Sequence, residues 1–200
     1  FVGDKGTWRE SNFCPEGSWA GGFRVYSNTE RINESGYDIK GIYFVELRCF
    51  DEDGVLKGIS KSQGEDLGDA TWSEVYDCPG KKNFINRFSI QVKTGGIMGV
   101  NEIWMGCFGD FKEFVYPKSE CCYNPVTWCP SESNLCGLKP KFESDQGPSK
   151  DDTALNNLEM HCCRYCEKEL SRYKNKVTST CQSCFYKCKT CFGGSKNECL

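Results

Sequence analysis

The stretch Lys150-Asp151-Asp152-Thr153-Ala154-Leu155-Asn156-Asn157 places two carboxylates, a hydroxyl and two amides side by side. Glycoside hydrolysis needs two carboxyls flanking the scissile bond, about 5–5.5 Å apart for retention or 6.5–9.5 Å for inversion. Neighbours in an extended strand point to opposite faces, so Asp151 and Asp152 alone are poorly placed for it, and a carboxylate from elsewhere would be needed. The same residues suit a turn in which Asp and Thr side chains bond backbone amides and Asn156 does so at a strand start. We read them first as a turn, second as sugar-binding groups and third as catalytic candidates. Glu16, Glu74 and Glu132 read as solvated charge rather than as carboxylates for a central cleft.

The single histidine, His161, argues against His-based catalysis and mixed-ligand zinc. The tail spacing Cys181-x2-Cys184-x3-Cys188-x2-Cys191 superficially fits tetrahedral zinc. However, 16 cysteines in 200 residues point to an oxidising compartment and to disulfides. No metal and no cofactor is expected. The start at Phe1, without methionine, fits a secreted chain after removal of a signal peptide. Asn33-Glu34-Ser35 is an N-glycosylation acceptor and predicts a surface loop.

A net charge of −3 is spread over 25 basic and 28 acidic residues without a long block of one sign, so neither nucleic acid nor membrane is nominated as a partner. No apolar run approaches the roughly 20 residues that span a bilayer.

The elements that must position these groups emerge from an internal repeat. Cys-Pro occurs at Cys14-Pro15, Cys78-Pro79 and Cys129-Pro130, each six residues after an aromatic: Trp8, Trp72 and Tyr123. Alternating apolar runs follow at Phe23-Arg24-Val25, Phe88-Ser89-Ile90 and Leu138 to Phe142. Each unit then closes on a cysteine: Val45-Glu46-Leu47-Arg48-Cys49, Ile103-Trp104-Met105-Gly106-Cys107 and Leu158-Glu159-Met160-His161-Cys162. Alternation of period two predicts strands with one buried face. The opening and closing cysteines lie 35, 29 and 33 positions apart. One bridge per unit is the economical pairing: Cys14–Cys49, Cys78–Cys107 and Cys129–Cys162. Three similar all-β units should pack as three sheets around a pseudo-threefold axis. Trp8, Trp72 and Tyr123 are candidates to stack on sugar rings, although repetition favours a structural role for them, as a shared core layer or a sheet-corner plug.

The segment Cys136-Gly137-Leu138-Lys139-Pro140-Lys141-Phe142, continued through Asp151-Asp152-Thr153-Ala154-Leu155-Asn156 to Cys162-Cys163, closely resembles the third repeat of the vitelline membrane outer layer protein I family. Cys14-Pro15-Glu16-Gly17-Ser18-Trp19 to Phe23 is similar to the opening repeat. The resemblance covers roughly residues 1–165. It implies a β-prism of the first type, with three Greek-key sheets as the faces of a triangular prism, in a secreted component of an egg's outer coat or a related secretion. It also implies activity on chitin-type oligosaccharides and a lectin-like fold, and by analogy a fourth bridge, Cys136–Cys163. The acidic turn is intact only in the third unit; the equivalent segments are Asp38 to Tyr43 and Gly96 to Asn101. Asn101 joins Asn156 as a sugar-binding candidate, and Tyr43 takes the position in the first unit.

The expected organisation is a β-prism over 1–164, with repeats at about 1–55, 56–115 and 116–164, followed by a small disulfide-rich tail over 165–200. The tail's six cysteines, with Cys121 and Cys122, would close four more bridges. Residues 165–177 are expected to form a short polar helix. The functional expectation is a secreted, disulfide-stabilised structural or carbohydrate-binding protein of an extracellular coat, secretion or matrix. Its expected partners are glycans or coat and matrix proteins, with self-association through the tail as another reading. Glycan processing by Asp151 or Asp152 is the enzymatic alternative.

Overall fold

The computed structural model describes residues 6–27, 42–62, 70–93, 99–108, 113–116, 125–144, 155–164, 172–174 and 181–183. Among these residues the chain is all β, with no helix. The chain begins with two short strands, β1 (Thr7–Trp8) and β2 (Asn12–Phe13), then the long hairpin of β3 (Trp19–Ser27) and β4 (Ile42–Phe50), then β5 (Leu56–Lys61). The pattern returns as β6 (Thr71–Trp72), β7 (Tyr76–Asp77), β8 (Ile85–Lys93), β9 (Gly99–Cys107) and β10 (Glu113–Tyr116). It returns again as β11 (Thr127–Trp128), β12 (Ser133–Phe142) and β13 (Leu155–Arg164).

The sheets are assembled by exchange between repeats. The first has the order β5-β4-β3-β6, with β7 also on β3, and the second has β10-β9-β8-β11. In the third, the N-terminal strands β1 and β2 both pair with β12, which pairs with β13. Each sheet thus takes its long hairpin from one repeat and its edge from the opening of the next. The N-terminus closes the ring. The resulting three faces form a β-prism of the first type.

Inward-facing side chains of all three sheets meet in one core that includes Phe23, Val25, Leu47, Ile85, Ile103, Met105, Leu138 and Leu158. Pairs of buried residues three apart, such as Ala20/Phe23, Val100/Ile103 and Leu155/Leu158, break the simple alternation, and β-bulges explain them. Near one prism end the extra residues are Gly21, Asn86 and Cys136; near the other they are Tyr43, Asn101 and Asn156. Each bulge resets the side-chain phase by one, so residues on both sides of it face the core.

The end with the first bulge set is held by disulfides. Cys14–Cys49, Cys78–Cys107 and Cys129–Cys162 each span a repeat, and Cys136–Cys163 joins the third hairpin. The Cys-Pro turns beside them are tied alike. The Ser18 and Ser133 hydroxyls donate to the carbonyls of Pro15 and Pro130, while the Asn83 amide donates to Pro79 over 2.8 Å. Trp19, Phe84 and the Cys136–Cys163 pair form a small buried cluster, with Phe50 against it, at this end. The exposed edge of β5 is blunted by the N-terminal segment: Asn12 Nδ2 donates to Lys61 O over 3.0 Å, and Ser60 Oγ donates to Asn12 O over 2.9 Å.

In the tail, β14 (Arg172–Lys174) and β15 (Cys181–Ser183) pair antiparallel. The helix expected across 165–177 is therefore corrected at Arg172–Lys174. A short polar segment makes a marginal helix, whereas pairing across a hairpin satisfies its backbone groups.

Candidate functional site

With the core facing inward, the side chains available for recognition lie on the outer faces of the sheets. One cross-strand row recurs on all three near the disulfide end, and in each a glycine makes room for its neighbours. In the first sheet the row is Asp77, Gly22 and Arg48, and the Asp77 carboxylate accepts from Arg48 Nε over 2.8 Å. In the second it is Trp128, Arg87 and Gly106. A Cβ on Gly106 would lie 2.3 Å from Arg87 Nε and 2.8 Å from its Cγ, so the Arg87 side chain crosses the glycine. Arg87 is only 6% exposed and sits 5.7 Å from the Trp104 ring centroid and 5.2 Å from that of Trp128. In the third sheet Phe13 crosses Gly137 to stack on His161, with ring centroids 5.0 Å apart and planes inclined by 29°.

The tryptophans of the short edge strands occupy the next part of these faces. Trp72 carries the Arg24 guanidinium 4.2 Å above its ring, and Arg24 is held by Glu46 through bonds of 2.8 and 3.1 Å. Lys61 lies 4.5 Å from the Phe44 ring and 5.2 Å from Trp72, and Tyr26 packs between them. This face is closed by its own side chains. On the third sheet the equivalent cation, Lys139, stands farther off, 5.4 Å from Trp8. Trp8 is 38% and Phe13 51% exposed.

The third face therefore presents two accessible aromatic rings with polar groups between them. His161 Nε2 lies 3.1 Å from Ser11 Oγ, and Nδ1 lies 3.9 Å from Glu159 Oε1. Burial pushes the His161 pKa below its ordinary 6.5; Lys139 adds to that, and Glu159 opposes it. Imidazole, carboxylate, hydroxyl and ammonium groups here offer both donors and acceptors at fixed heights above a sheet. The arrangement can bind and orient a hydroxylated ligand. Among the described residues no group of side chains is arranged to hold a metal ion.

Of the residues singled out from the sequence, Trp8 and Trp72 lie on strands that pair at the sheet edges with side chains outward, and Trp72 also packs against a buried cluster of Tyr43, Phe44 and Phe142. Asn156 is wholly buried. It is the extra residue of a bulge, and its amide packs where a Cβ on Gly6 would lie 2.9 Å away, so it is not placed for surface sugar contact. Asn101 takes the equivalent bulge in β9, and its side chain lies outside the described residues. Asp151, Asp152, Tyr123 and Asn33 also lie outside them. Glu16, Glu74 and Glu132 are exposed. Phe13, Lys139, Glu159 and His161 were not singled out as a group. A signal was present for two of them: Glu159 and His161 alternate with the core-packed run Leu158, Met160 and Cys162.

Comparison with known proteins gives a match to the vitelline membrane outer layer protein I family over residues 2–165. A mouse vitelline membrane outer layer protein 1 homolog is 28% identical over 178 residues, which covers 80% of this chain and 79% of the homolog. The human homolog is 27% identical over 180 residues, covering 81% and 79%. Among solved structures, Calystegia sepium agglutinin superposes with a TM-score of 0.52 at 10% identity, over 82% of this chain and 93% of the agglutinin.

Proposed function

The chain belongs to the vitelline membrane outer layer protein I family, and from that membership we propose that it is a secreted structural protein of an extracellular coat, secretion or matrix that binds glycans. Three observations support the reading. The family match spans all three sheets. Among the described residues four disulfides harden the prism, as a chain matured in an oxidising compartment would require. The fold is shared with an agglutinin.

The observation that carries the glycan reading is the third outer face. The exposed rings of Trp8 and Phe13 flank His161, Glu159 and Lys139. A sugar ring has an apolar C–H patch and a rim of hydroxyls, so it matches an aromatic surface bordered by donors and acceptors. A rigid sheet keeps that surface in place, so little ordering entropy is lost on binding. Glycan-array binding, with the bound glycans recovered uncleaved, is the expected result. Cleaved products, or an array without a signal, would overturn the binding reading.

A further inference from the structure

At the disulfide end, between the first and second repeats, lies a cleft of about 180 Å³. One wall is the 51–55 turn between β4 and β5. Asp51 Oδ1 fixes it by accepting from the amides of Asp53 and Val55 over 3.0 and 2.9 Å. The other wall is the 78–84 loop, tied internally by Asn83. Lys82 reaches from this loop to Glu52 on the facing turn, 3.5 Å away, and spans the mouth. Phe50 lies against Gly21, where a Cβ would come within 2.7 Å of its ring, and Phe84 is buried beside Trp19. Asp77 also lines the cleft, its carboxylate fixed in place by Arg48.

We propose that this cleft is a second ligand site and that it receives a single terminal sugar ring. Drug-sized ligands occupy pockets of about 300–1,000 Å³, so a volume of this size suits one ring rather than a buried oligosaccharide. Phe50 and Phe84 supply apolar surface, Asp77 an oriented acceptor and Lys82 an exposed donor at the mouth. A sugar ring uses all three. An anion would meet Asp51 and Asp77, and a purely apolar guest would take water from the remaining lone pairs of those carboxylates without offering a donor. The ligand class rests on the glycan reading above; the position of the site does not.

The test is a titration of the oxidised, ¹⁵N-labelled full chain with methyl pyranosides of gluco, galacto and N-acetylglucosamine configuration, followed by amide shifts. The expected result is saturable shifts at Gly54, Gly80 and Phe84. Asp77→Asn keeps the shape but replaces a charged acceptor by a neutral one, and weakens binding about tenfold. Lys82→Ala, which leaves the Asp77–Arg48 pair intact, weakens it as well, and Trp8→Ala leaves it unchanged. Shifts confined to amides around Trp8 and Phe13 overturn the cleft and leave the third-face reading standing. Cleft shifts that persist undiminished in both variants also overturn it. No site-specific shift with any pyranoside overturns the cleft, while the glycan reading falls only if the array is silent too.

Discussion

Asp77 holds Arg48 across Gly22, with 2.8 Å between Oδ1 and Nε, and a Cβ on Gly22 would stand 2.0 Å from that same oxygen. The glycine is therefore part of the ion pair. At Gly137 a Cβ would come 2.6 Å from Phe13 Cδ1 and 2.7 Å from the Asn12 carbonyl oxygen. Backbone lies close at both positions, since Tyr76 O would be 2.7 Å from the Gly22 Cβ, so neither site can relax by moving a side chain alone. Gly22→Ala and Gly137→Ala are each expected to destabilise the fold by about 1–3 kcal/mol in denaturant unfolding. In the Gly137→Ala background, Phe13→Ala should cost less than it does alone, because the stack on His161 is already displaced.

The fourth disulfide adds a bond across a hairpin that the Cys129–Cys162 bridge already holds. Cys136 occupies a bulge, and its bridge to Cys163 closes a loop of 27 positions beside Trp19 and Phe84. With Cys129–Cys162 intact only about eight positions separate Cys136 from Cys163, so replacing both cysteines by alanine should lower stability by about 2.5 kcal/mol in the chain-entropy treatment. Thermal unfolding of the otherwise oxidised protein measures the loss. An unchanged melting temperature would mean that the other bridges already restrict this loop in the unfolded chain.

Much of the fold was legible in the sequence because cysteine, proline and alternating apolar residues recur in register in three units. Val45, Leu47 and Cys49 announce a strand with one buried face, and the same signal recurs at Ile103 and Leu158. The exchange of edges was not legible. Trp8 stands beside its own repeat in sequence yet pairs with Lys141 of the third, and a two-residue strand is too short to show a period. The repeated position of Trp8 and Trp72 fits a core layer as well as an outer face, and only the pairing register separates the two. Asn156 read as a polar surface group, because a bulge that turns its amide inward leaves no trace in a pattern of residue types. Phe13 and His161 are 148 positions apart, and what joins them is the room left by Gly137.

His161 makes the stability of the third face depend on pH. Its pKa in the folded protein is below the ordinary 6.5 of the unfolded chain, so the unfolded state binds the proton more readily. The contribution is present above pH 6.5, declines as pH falls through the folded value, and levels off below it. The difference in unfolding free energy between wild type and His161→Gln, followed from pH 8 to pH 5, should shrink toward the acid side. An NMR titration of the lone imidazole should have its midpoint below 6.5. A midpoint above 6.5 would mean that Glu159 outweighs burial and Lys139.

The glycan reading depends on the third face being open while the first is closed by Arg24. Calorimetric titration with the strongest array ligand compares Trp8→Ala and Phe13→Ala with Trp72→Ala, each variant checked for an intact fold by its near-UV spectrum. Loss of either exposed ring should weaken binding about tenfold, the order expected when an aromatic contact near the centre of an interface is removed. Trp72→Ala should leave affinity within about twofold of wild type, because the face of that ring is occupied by a guanidinium. Undiminished binding in both Trp8→Ala and Phe13→Ala, or a loss confined to Trp72→Ala, would place the glycan elsewhere and refute the third face as its site.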